Sequence, residues 1–329
     1  MRVLFFLLSF LVLFTGIYMI LKAQSMENEK VIEEENTEEE IMEIPNREKE
    51  EEDEEETTEE VTKEEQRFET IKLKARSAMV WDMQEERPIY EKNSGESLPL
   101  ASITKIMTAI VASEKVQSDM EIMIEPYFLE QHGQSGLLIN EAWYLKDLID
   151  IIMLTSANDA AYAIAAIVGS EILGGGPEDR VNFFVSEMNK KAGEIGLSQS
   201  FFNNPTGLDV NEMSAGAYGS ADDIVKLVSY AFLNHPEIFY PTKKDSVEKT
   251  SLSGYSHHFT NTNPSVHNMN GLVASKTGYT DLAGGNLAVV VNVDLNYPVI
   301  IVVMGSTFEG RFEDALNLIE ATHNHLHTL

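Results

Sequence analysis

The stretch Leu100-Ala101-Ser102-Ile103-Thr104-Lys105-Ile106-Met107-Thr108 carries a serine and a lysine three positions apart, at the start of a predicted helix. Helical side chains at i and i+3 lie on one face, about 5–6 Å apart at Cβ, so the Ser102 hydroxyl and the Lys105 amine can meet. A serine in the first turn also faces unpaired backbone N–H groups and the positive end of the helix dipole, which favour negative charge. The pattern predicts a serine nucleophile activated without histidine. An ordinary N-cap serine beside a solvated lysine would show the same spacing.

Composition excludes several classes of protein. The chain has 329 residues, no cysteine and a formal net charge of −30. Without cysteine there are no disulfides, thiol nucleophiles or cysteine-ligated metals, and an acidic chain is unsuited to bind nucleic acid. The sequence contains no Gly-x-Ser-x-Gly and no His-Glu-x-x-His, so it signals neither an α/β-hydrolase nor that type of metalloprotease. We predict no metal site and no cofactor.

The N-terminal residues 1–25 read as a membrane anchor. Val3 to Leu21 carry no charge, and a bilayer-spanning helix needs roughly 20 such residues. A cleavable signal peptide is the alternative, but the apolar run is long for one and Lys22-Ala23-Gln24-Ser25 is a poor cleavage site. With Arg2 on the inner side, the rest of the chain is expected on the extracytoplasmic side of the cell membrane.

Residues 26–66 have a different composition. They contain 21 acidic residues against four basic ones, including an unbroken acidic run from Glu50 to Glu56. Such a segment repels itself and lacks the apolar surface to offset the entropy of folding, so we predict a disordered spacer. Residues 67–329 remain as one catalytic domain, which is long enough for a sizeable core.

The catalytic domain is predicted to be α/β of the α+β type. Apolar stretches typical of strands lie near both ends of the domain, and amphipathic or wholly apolar helical patterns fill the middle. This order predicts a mainly antiparallel sheet built from both ends and flanked by helices, with a helical subdomain at about residues 125–245.

Two further motifs follow the opening serine. Ser156-Ala157-Asn158 lies between two apolar helices, and Lys276-Thr277-Gly278 ends a predicted strand before Tyr279. The order Ser-x-x-Lys, Ser-x-Asn, Lys-Thr-Gly is the signature of penicillin-binding proteins and serine β-lactamases. A helix cap at Ser156 and a surface lysine at position 276 are the simpler readings of the two motifs taken singly.

The resemblance extends over almost all of residues 75–320, to the low-molecular-mass D-alanyl-D-alanine carboxypeptidases. The segments that carry it are Pro99–Thr108, Leu154–Ala161, Phe201–Leu208, Lys276–Thr280 and Ala283-Gly284. It implies the fold shared by β-lactamases and DD-peptidases and removal of the terminal D-alanine from peptidoglycan stem peptides through an acyl-enzyme. β-Lactams are the implied covalent inhibitors.

The catalytic residues predicted on this basis are Ser102 as nucleophile, Lys105 as general base and Ser156 as proton relay to the leaving amine. The predicted substrate-binding residues are Asn158, Lys276, Thr277, Gly278 and Tyr279. Burial of Lys105 beside a second cation, Lys276, would keep it neutral for part of the time. The resemblance further implies an oxyanion hole formed by the backbone N–H groups of Ser102 and Tyr279.

One departure and three alternatives accompany the resemblance. Known members of the family can carry arginine at the position of Thr262, which would leave more of the carboxylate binding to Lys276 and Thr277. A class A β-lactamase needs Glu-x-x-Leu-Asn between the second and third motifs, but the only such string here starts at Glu313, after both. A DD-endopeptidase acting on cross-bridges remains open, and so does a penicillin-binding sensor or scaffold that does not turn over.

Overall fold

The computed structural model describes Phe68 and residues 71–133, 135–173 and 176–326. The predicted anchor at residues 1–25 and the predicted acidic spacer at residues 26–66 lie outside the described residues. Within the part of the chain that is described, no helix is both long and apolar enough to cross a bilayer.

The described residues form strands, α-helices and short 3₁₀ helices. The strands are β1 (Ser77–Asp82), β2 (Arg87–Lys92), β3 (Leu98–Pro99), β4 (Glu121–Met123), β5 (Ala142–Tyr144), β6 (Phe201–Phe202), β7 (Ala217–Gly219), β8 (Ser246–Thr250), β9 (Ser256–Thr260), β10 (Leu272–Thr280), β11 (Gly284–Asp294) and β12 (Tyr297–Ser306). The α-helices are α1 (Thr104–Lys115), α2 (Leu145–Thr155), α3 (Asn158–Leu173), α4 (Pro177–Glu194), α5 (Ala221–Asn234) and α6 (Gly310–Leu326). Short 3₁₀ helices span Ala101–Ile103, Pro126–Glu130 and Pro236–Lys243.

The main sheet has five strands in the order β10-β11-β12-β1-β2, and every neighbouring pair is antiparallel. Two strands come from the start of the described chain and three from its end, with α1 to α5 between them. The predicted α+β architecture, a mainly antiparallel sheet flanked by helices, is confirmed. The predicted helical region at 125–245 also contains the short strands β5, β6 and β7.

Both faces of the sheet are covered. Along β11, Leu287 and Val289 pack into a cluster with the helix α6, whereas Ala288 and Val290 belong to the larger cluster formed with α1 to α5. Successive strand residues point to opposite faces, so a strand covered on both sides must be apolar at nearly every position. This explains why β11 and β12 read as continuous apolar runs. The strand β10 lies at the edge of the sheet, beside the helical layer.

The start of the first helix differs from the prediction. Ser102 does not begin the α-helix; it lies in the 3₁₀ turn Ala101–Ile103, and α1 starts two residues later at Thr104. Its side chain caps no backbone N–H. The turn starts in the left-handed region, with φ of +47° at Ala101, which pure helical periodicity does not reveal. The hydroxyl is therefore directed by its neighbours rather than by a helix end.

Candidate active site

The turn that carries Ser102 is enclosed by two glycines. A Cβ on Gly207, whose φ is +80°, would lie 1.9 Å from the carbonyl oxygen of Ala101. A Cβ on Gly278, in β10, would lie 3.0 Å from Leu100 O and 3.2 Å from Ser102 N. Only glycine allows backbone to approach backbone this closely. The sequence predicts that Gly278 lets the strand approach the substrate closely; in this structure the strand approaches the backbone of the Ser102 turn.

Lys105 lies directly beneath Ser102. Its Nζ is 2.8 Å from Ser102 Oγ, 2.7 Å from Asn158 Oδ1 and 2.7 Å from the carbonyl oxygen of Thr206. The side chain has no exposed surface. A neutral amine has two N–H donors and one lone pair. Because Asn158 Oδ1 and the carbonyl oxygen of Thr206 can only accept, they take the two hydrogens of the amine, and its lone pair is left facing the serine hydroxyl.

The environment of Lys105 favours the neutral amine. Burial is the largest cause and the positive charge of Lys276 the second, and together they hold the pKa of Lys105 well below its usual value against the opposing charge of Asp159. The charge of Lys276 thus acts on Lys105, as the sequence-based expectation for the two lysines requires. Desolvation contributes more than the second cation, a ranking that the motif spacing could not give.

Lys276 reaches the same cleft from β10. Its Nζ donates to Ser156 Oγ at 2.9 Å and to the carbonyl oxygen of Thr277 at 3.1 Å, and the residue is 1% exposed. Burial, followed by the charge of Arg311, lowers the pKa of Lys276 to about 7. Ser156 ends α2 in the left-handed conformation, with φ of +63°.

Asn158 is fixed at both ends of its amide. Oδ1 accepts from Lys105, and Nδ2 donates to the carbonyl oxygen of His132 at 2.6 Å. The second hydrogen of the amide nitrogen remains available for a substrate carbonyl, and this substrate contact stays a prediction. The contacts that the structure shows make Asn158 a hydrogen-bond partner of Lys105.

Thr277 pairs with Thr262, the residue at the position where arginine was considered. Their hydroxyl oxygens are 2.6 Å apart, and Thr262 Oγ1 also lies 3.2 Å from the carbonyl oxygen of Leu154. That carbonyl already accepts from the Thr262 backbone N–H at 3.0 Å. The Thr262 hydroxyl donates to the same carbonyl, whose two lone pairs accept both groups, so the Thr277 hydroxyl donates to Thr262 Oγ1.

Two contributors to the site carry no signal in the three motifs. The carbonyl of Thr206 binds Lys105, and the loop that presents it is held by Asn204 Oδ1, which accepts from Thr206 N, Thr206 Oγ1 and Gly207 N at 3.1, 2.9 and 2.7 Å. Arg311, in the first turn of α6, donates to Gly278 O at 2.6 Å. Its only trace in the sequence is an arginine next to an inward-facing phenylalanine.

The structure thus assembles Ser102, Lys105, Ser156, Asn158, Lys276, Thr277 and Gly278 around one cleft. Tyr279 follows on the same strand, and its ring, 47% exposed, packs edge-on against Phe308 at 5.1 Å between centroids. Across the described residues no group of three or more His, Cys, Asp or Glu side chains could hold a metal ion. The chemistry of the cleft is that of a buried amine next to a hydroxyl.

Comparisons with known proteins agree with this arrangement. The family model described as D-alanyl-D-alanine carboxypeptidase matches residues 60–307. The carboxypeptidase DacF of Bacillus subtilis is 31% identical over 63% of this chain, which spans only 51% of DacF. A D-alanyl-D-alanine endopeptidase of Escherichia coli is 31% identical over 69% of this chain and 70% of its own length.

Solved structures give the same result. Penicillin-binding protein D2 from Listeria monocytogenes, in its ampicillin-bound form, is 28% identical, with a TM-score of 0.65 over 77% of this chain and 98% of that one. The Streptomyces K15 DD-transpeptidase is 24% identical, with a TM-score of 0.69 over 76% of this chain and 97% of that one, a likeness that concerns the fold.

Proposed function

Because the chain belongs to the D-alanyl-D-alanine carboxypeptidase family, we propose that it is a serine peptidase that removes the terminal D-alanine from peptidoglycan stem peptides. The observation that carries the proposal is the set of three contacts at Lys105 Nζ. They support a neutral lysine whose lone pair faces Ser102. Acyl transfer needs such a base beside its nucleophile.

Acylation follows from these contacts. Lys105 Nζ takes the proton of Ser102 Oγ as the oxygen attacks the carbonyl carbon of the penultimate D-alanine. The carbonyl π electrons move onto oxygen, where the resemblance assigns stabilisation to the N–H groups of Ser102 and Tyr279. When the tetrahedral intermediate collapses, the C–N bond breaks and the leaving amine takes up a proton. D-Alanine departs and the Ser102 ester remains.

Ser156 and Lys276 support the delivery of that proton. Ser156 Oγ accepts from Lys276 Nζ, so its own hydrogen is free to pass to the leaving nitrogen while Ser156 is replenished from a lysine. Lys276 and the Thr277 hydroxyl then face the terminal carboxylate of the substrate. In deacylation a water molecule adds to the ester and passes a proton through Ser156 to Lys276, which gave one up in acylation. As the bond from the carbonyl carbon to Ser102 Oγ breaks, Lys105 returns its proton to Ser102 Oγ, and the shortened peptide leaves as a carboxylic acid.

A DD-endopeptidase is the second candidate. It is favoured by the relatives named D-alanyl-D-alanine endopeptidase in E. coli and Pseudomonas aeruginosa, since the matched region spans 70% and 75% of those proteins but 51% of DacF. Both reactions attack a D-alanyl carbonyl and differ in the leaving amine. Comparing a pentapeptide with a cross-linked dimer as substrates separates them.

The decisive experiment is labelling with a penicillin followed by peptide mass spectrometry, together with release of D-alanine from a pentapeptide. We expect one adduct on the peptide that holds Ser102, and turnover that Ser102→Ala abolishes. An adduct on another peptide would overturn the site assignment. An acyl-enzyme that forms with a D-Ala-D-Ala peptide and hydrolyses very slowly would favour the sensor or scaffold.

We also propose that residues 1–25 tether the protein to the cell membrane and that residues 26–66 space the catalytic domain from it on the extracytoplasmic side. The support is the uncharged run and the acidic composition of the sequence. Shortening residues 27–65 should lower activity on intact cell walls and leave hydrolysis of a soluble peptide unchanged. Equal activity on both substrates would refute the spacer.

A further inference from the structure

Arg311 is a buried cation that the proposed reaction does not use. It lies in the first turn of α6, is 3% exposed, and reaches past β11 to donate from Nη1 to the carbonyl oxygen of Gly278 at 2.6 Å. The path is narrow, because a Cβ on Gly285 would lie 3.3 Å from Arg311 Cδ. The side chain thus connects the last helix to the strand that carries the Lys-Thr-Gly motif.

The surroundings of the guanidinium are mostly aromatic. Its central carbon lies 4.5 Å from the ring centroid of Phe308, 4.7 Å from that of Phe312 and 5.9 Å from that of Tyr279. Nε is buried and makes no hydrogen bond. Burial outweighs the nearby negative groups and lowers the pKa of Arg311 to about 10. Holding a cation in such a place costs stability unless it is compensated, so stability alone does not explain this residue.

Arg311 contacts the peptide unit that joins Gly278 to Tyr279. The carbonyl of Gly278 and the N–H of Tyr279 belong to the same planar, trans unit, so they point in opposite directions. With the carbonyl directed at Arg311, the N–H is directed at the opposite side, the free edge of β10, since β10 is the outer strand of the sheet. The Ser102 backbone lies next to this peptide unit, because a Cβ on Gly278 would be 3.2 Å from Ser102 N.

We propose that Arg311 is a positioning residue that orients and polarises the Gly278–Tyr279 peptide, so that the Tyr279 N–H is fixed toward the oxyanion formed at Ser102. This inference rests on the proposed function. A charged donor on the carbonyl draws electron density through the peptide and strengthens the N–H at its other end. It also fixes the donor before the reaction starts, which is the condition under which an oxyanion hole is effective.

The test uses an oxyanion mimic that has no carboxylate. Phenylboronic acid adds reversibly to a serine hydroxyl and places a negatively charged tetrahedral centre where the oxyanion forms. Its affinity is measured by competition with a fluorescent penicillin in the wild type, in Arg311→Gln and Arg311→Lys, and in Arg76→Gln as the matched control. Arg76 is exposed and forms an ion pair with Glu96.

We expect Arg311→Gln to weaken phenylboronic acid about ten- to hundredfold, somewhat less than the loss of a whole oxyanion donor, typically about 10²–10³. Arg311→Lys keeps a cation and should lose less. Arg76→Gln should match the wild type. The rate constant for acylation by penicillin should fall in parallel, while the penicillin concentration that gives half of the maximal rate changes little. A general structural defect would change both quantities.

Three outcomes overturn the inference. Wild-type affinity for the boronate in Arg311→Gln would show that the peptide needs no such support. Weaker binding of a D-Ala-D-Ala peptide with unchanged boronate affinity would make Arg311 a carboxylate contact instead. A wild-type protein that penicillin does not acylate at Ser102 would refute the proposed function, and the inference with it; this failure is visible before any variant is made.

A second variant covers the case in which Arg311→Gln does not fold. Phe308 is half-exposed, and its ring forms one wall around the guanidinium. Phe308→Ala loosens Arg311 without opening the core, and we expect a severalfold loss of boronate affinity with the same division between acylation rate and half-saturation. No change in boronate affinity would contradict the proposal.

Discussion

Replacing Asn158 by aspartate tests the neutral lysine directly. The substitution is isosteric and puts a carboxylate oxygen where Asn158 Oδ1 now lies, 2.7 Å from Lys105 Nζ. Two unit charges at that separation attract by about 6 kcal/mol at an effective dielectric constant of 20, equivalent to about four pKa units. Burial of the new carboxylate and relaxation oppose this. Even half of the effect raises the pKa of Lys105 by about two units.

The sign of the pH dependence follows. Lys105 acts as a base only when deprotonated, so acylation rises with pH through its pKa. In the wild type that pKa is lowered well below 10.5, and the neutral form is available near neutrality. Raising the pKa moves this rising limb to higher pH. We expect the rising limb of acylation in Asn158→Asp to lie about two pH units or more above that of the wild type, so that the variant is slower at low pH and recovers toward pH 10.

The assay is the second-order rate constant for acylation by a fluorescent penicillin, measured from pH 6 to pH 10 with melting temperatures taken alongside. Asn234→Asp is the matched control. Asn234 lies at the exposed end of α5, where its side-chain amide donates to the carbonyl oxygen of Tyr230 and not to a group of the candidate site. A structural defect in Asn158→Asp would lower acylation by the same factor at every pH. That result, or a rising limb at the same pH as in the wild type, would refute a neutral Lys105.

Three further expectations concern the carboxylate pocket and the backbone around Ser102. Thr262→Val removes the oxygen that accepts the Thr277 hydrogen and frees that hydroxyl for the substrate, so KM for a peptide with a free carboxylate should fall severalfold while KM for the corresponding amide stays unchanged; equal effects on both would exclude a role through the carboxylate. Because the pKa of Lys276 is about 7, its charge is lost as pH rises through that value, so KM for the carboxylate substrate should increase above pH 7 while KM for the amide stays flat; parallel profiles for the two would contradict this. Gly207→Ala should lower the free energy of unfolding by more than about 3 kcal/mol, since φ is +80° and the Cβ would collide with backbone. Gly193→Ala, with nothing within 4 Å, should be neutral or stabilising by up to about 1 kcal/mol in chemical denaturation. Equal losses in the two variants would show that the close approach at Gly207 is not constrained.

The sequence alone predicts those parts of the site that depend on local geometry or on matched motifs. The i, i+3 spacing of Ser102 and Lys105 leads directly to a contact of 2.8 Å between them. Continuous apolar patterning predicts β11 and β12, because strands covered on both faces leave few polar positions. A serine followed three residues later by an acidic residue is a typical helix start, and the Ser220 side chain does accept from Asp223 N, at 3.2 Å, where α5 begins.

What the sequence does not reveal depends on long-range backbone contacts. The carbonyl of Thr206 binds Lys105 across 101 residues, and a carbonyl has no side-chain signature. Arg311 bonds Gly278 across 33 residues, and an arginine at a helix start ordinarily indicates exposure. The left-handed Ala101 moved the start of α1 away from Ser102, because the close approach of Gly207 sets the turn there and local helix periodicity does not.

The three cations of the cleft explain one another. Lys105, Lys276 and Arg311 come from α1, β10 and α6 and are all almost fully buried, so three like charges would be costly at such short range. Each lysine can avoid this cost by losing its proton, and both pKa values are lowered accordingly. An arginine does not lose its proton in proteins at neutral pH, and here three aromatic rings and a carbonyl stabilise it. Arg311 therefore remains the fixed charge. Its charge is one cause of the lowered pKa of Lys276, and the charge of Lys276 in turn helps to lower the pKa of Lys105.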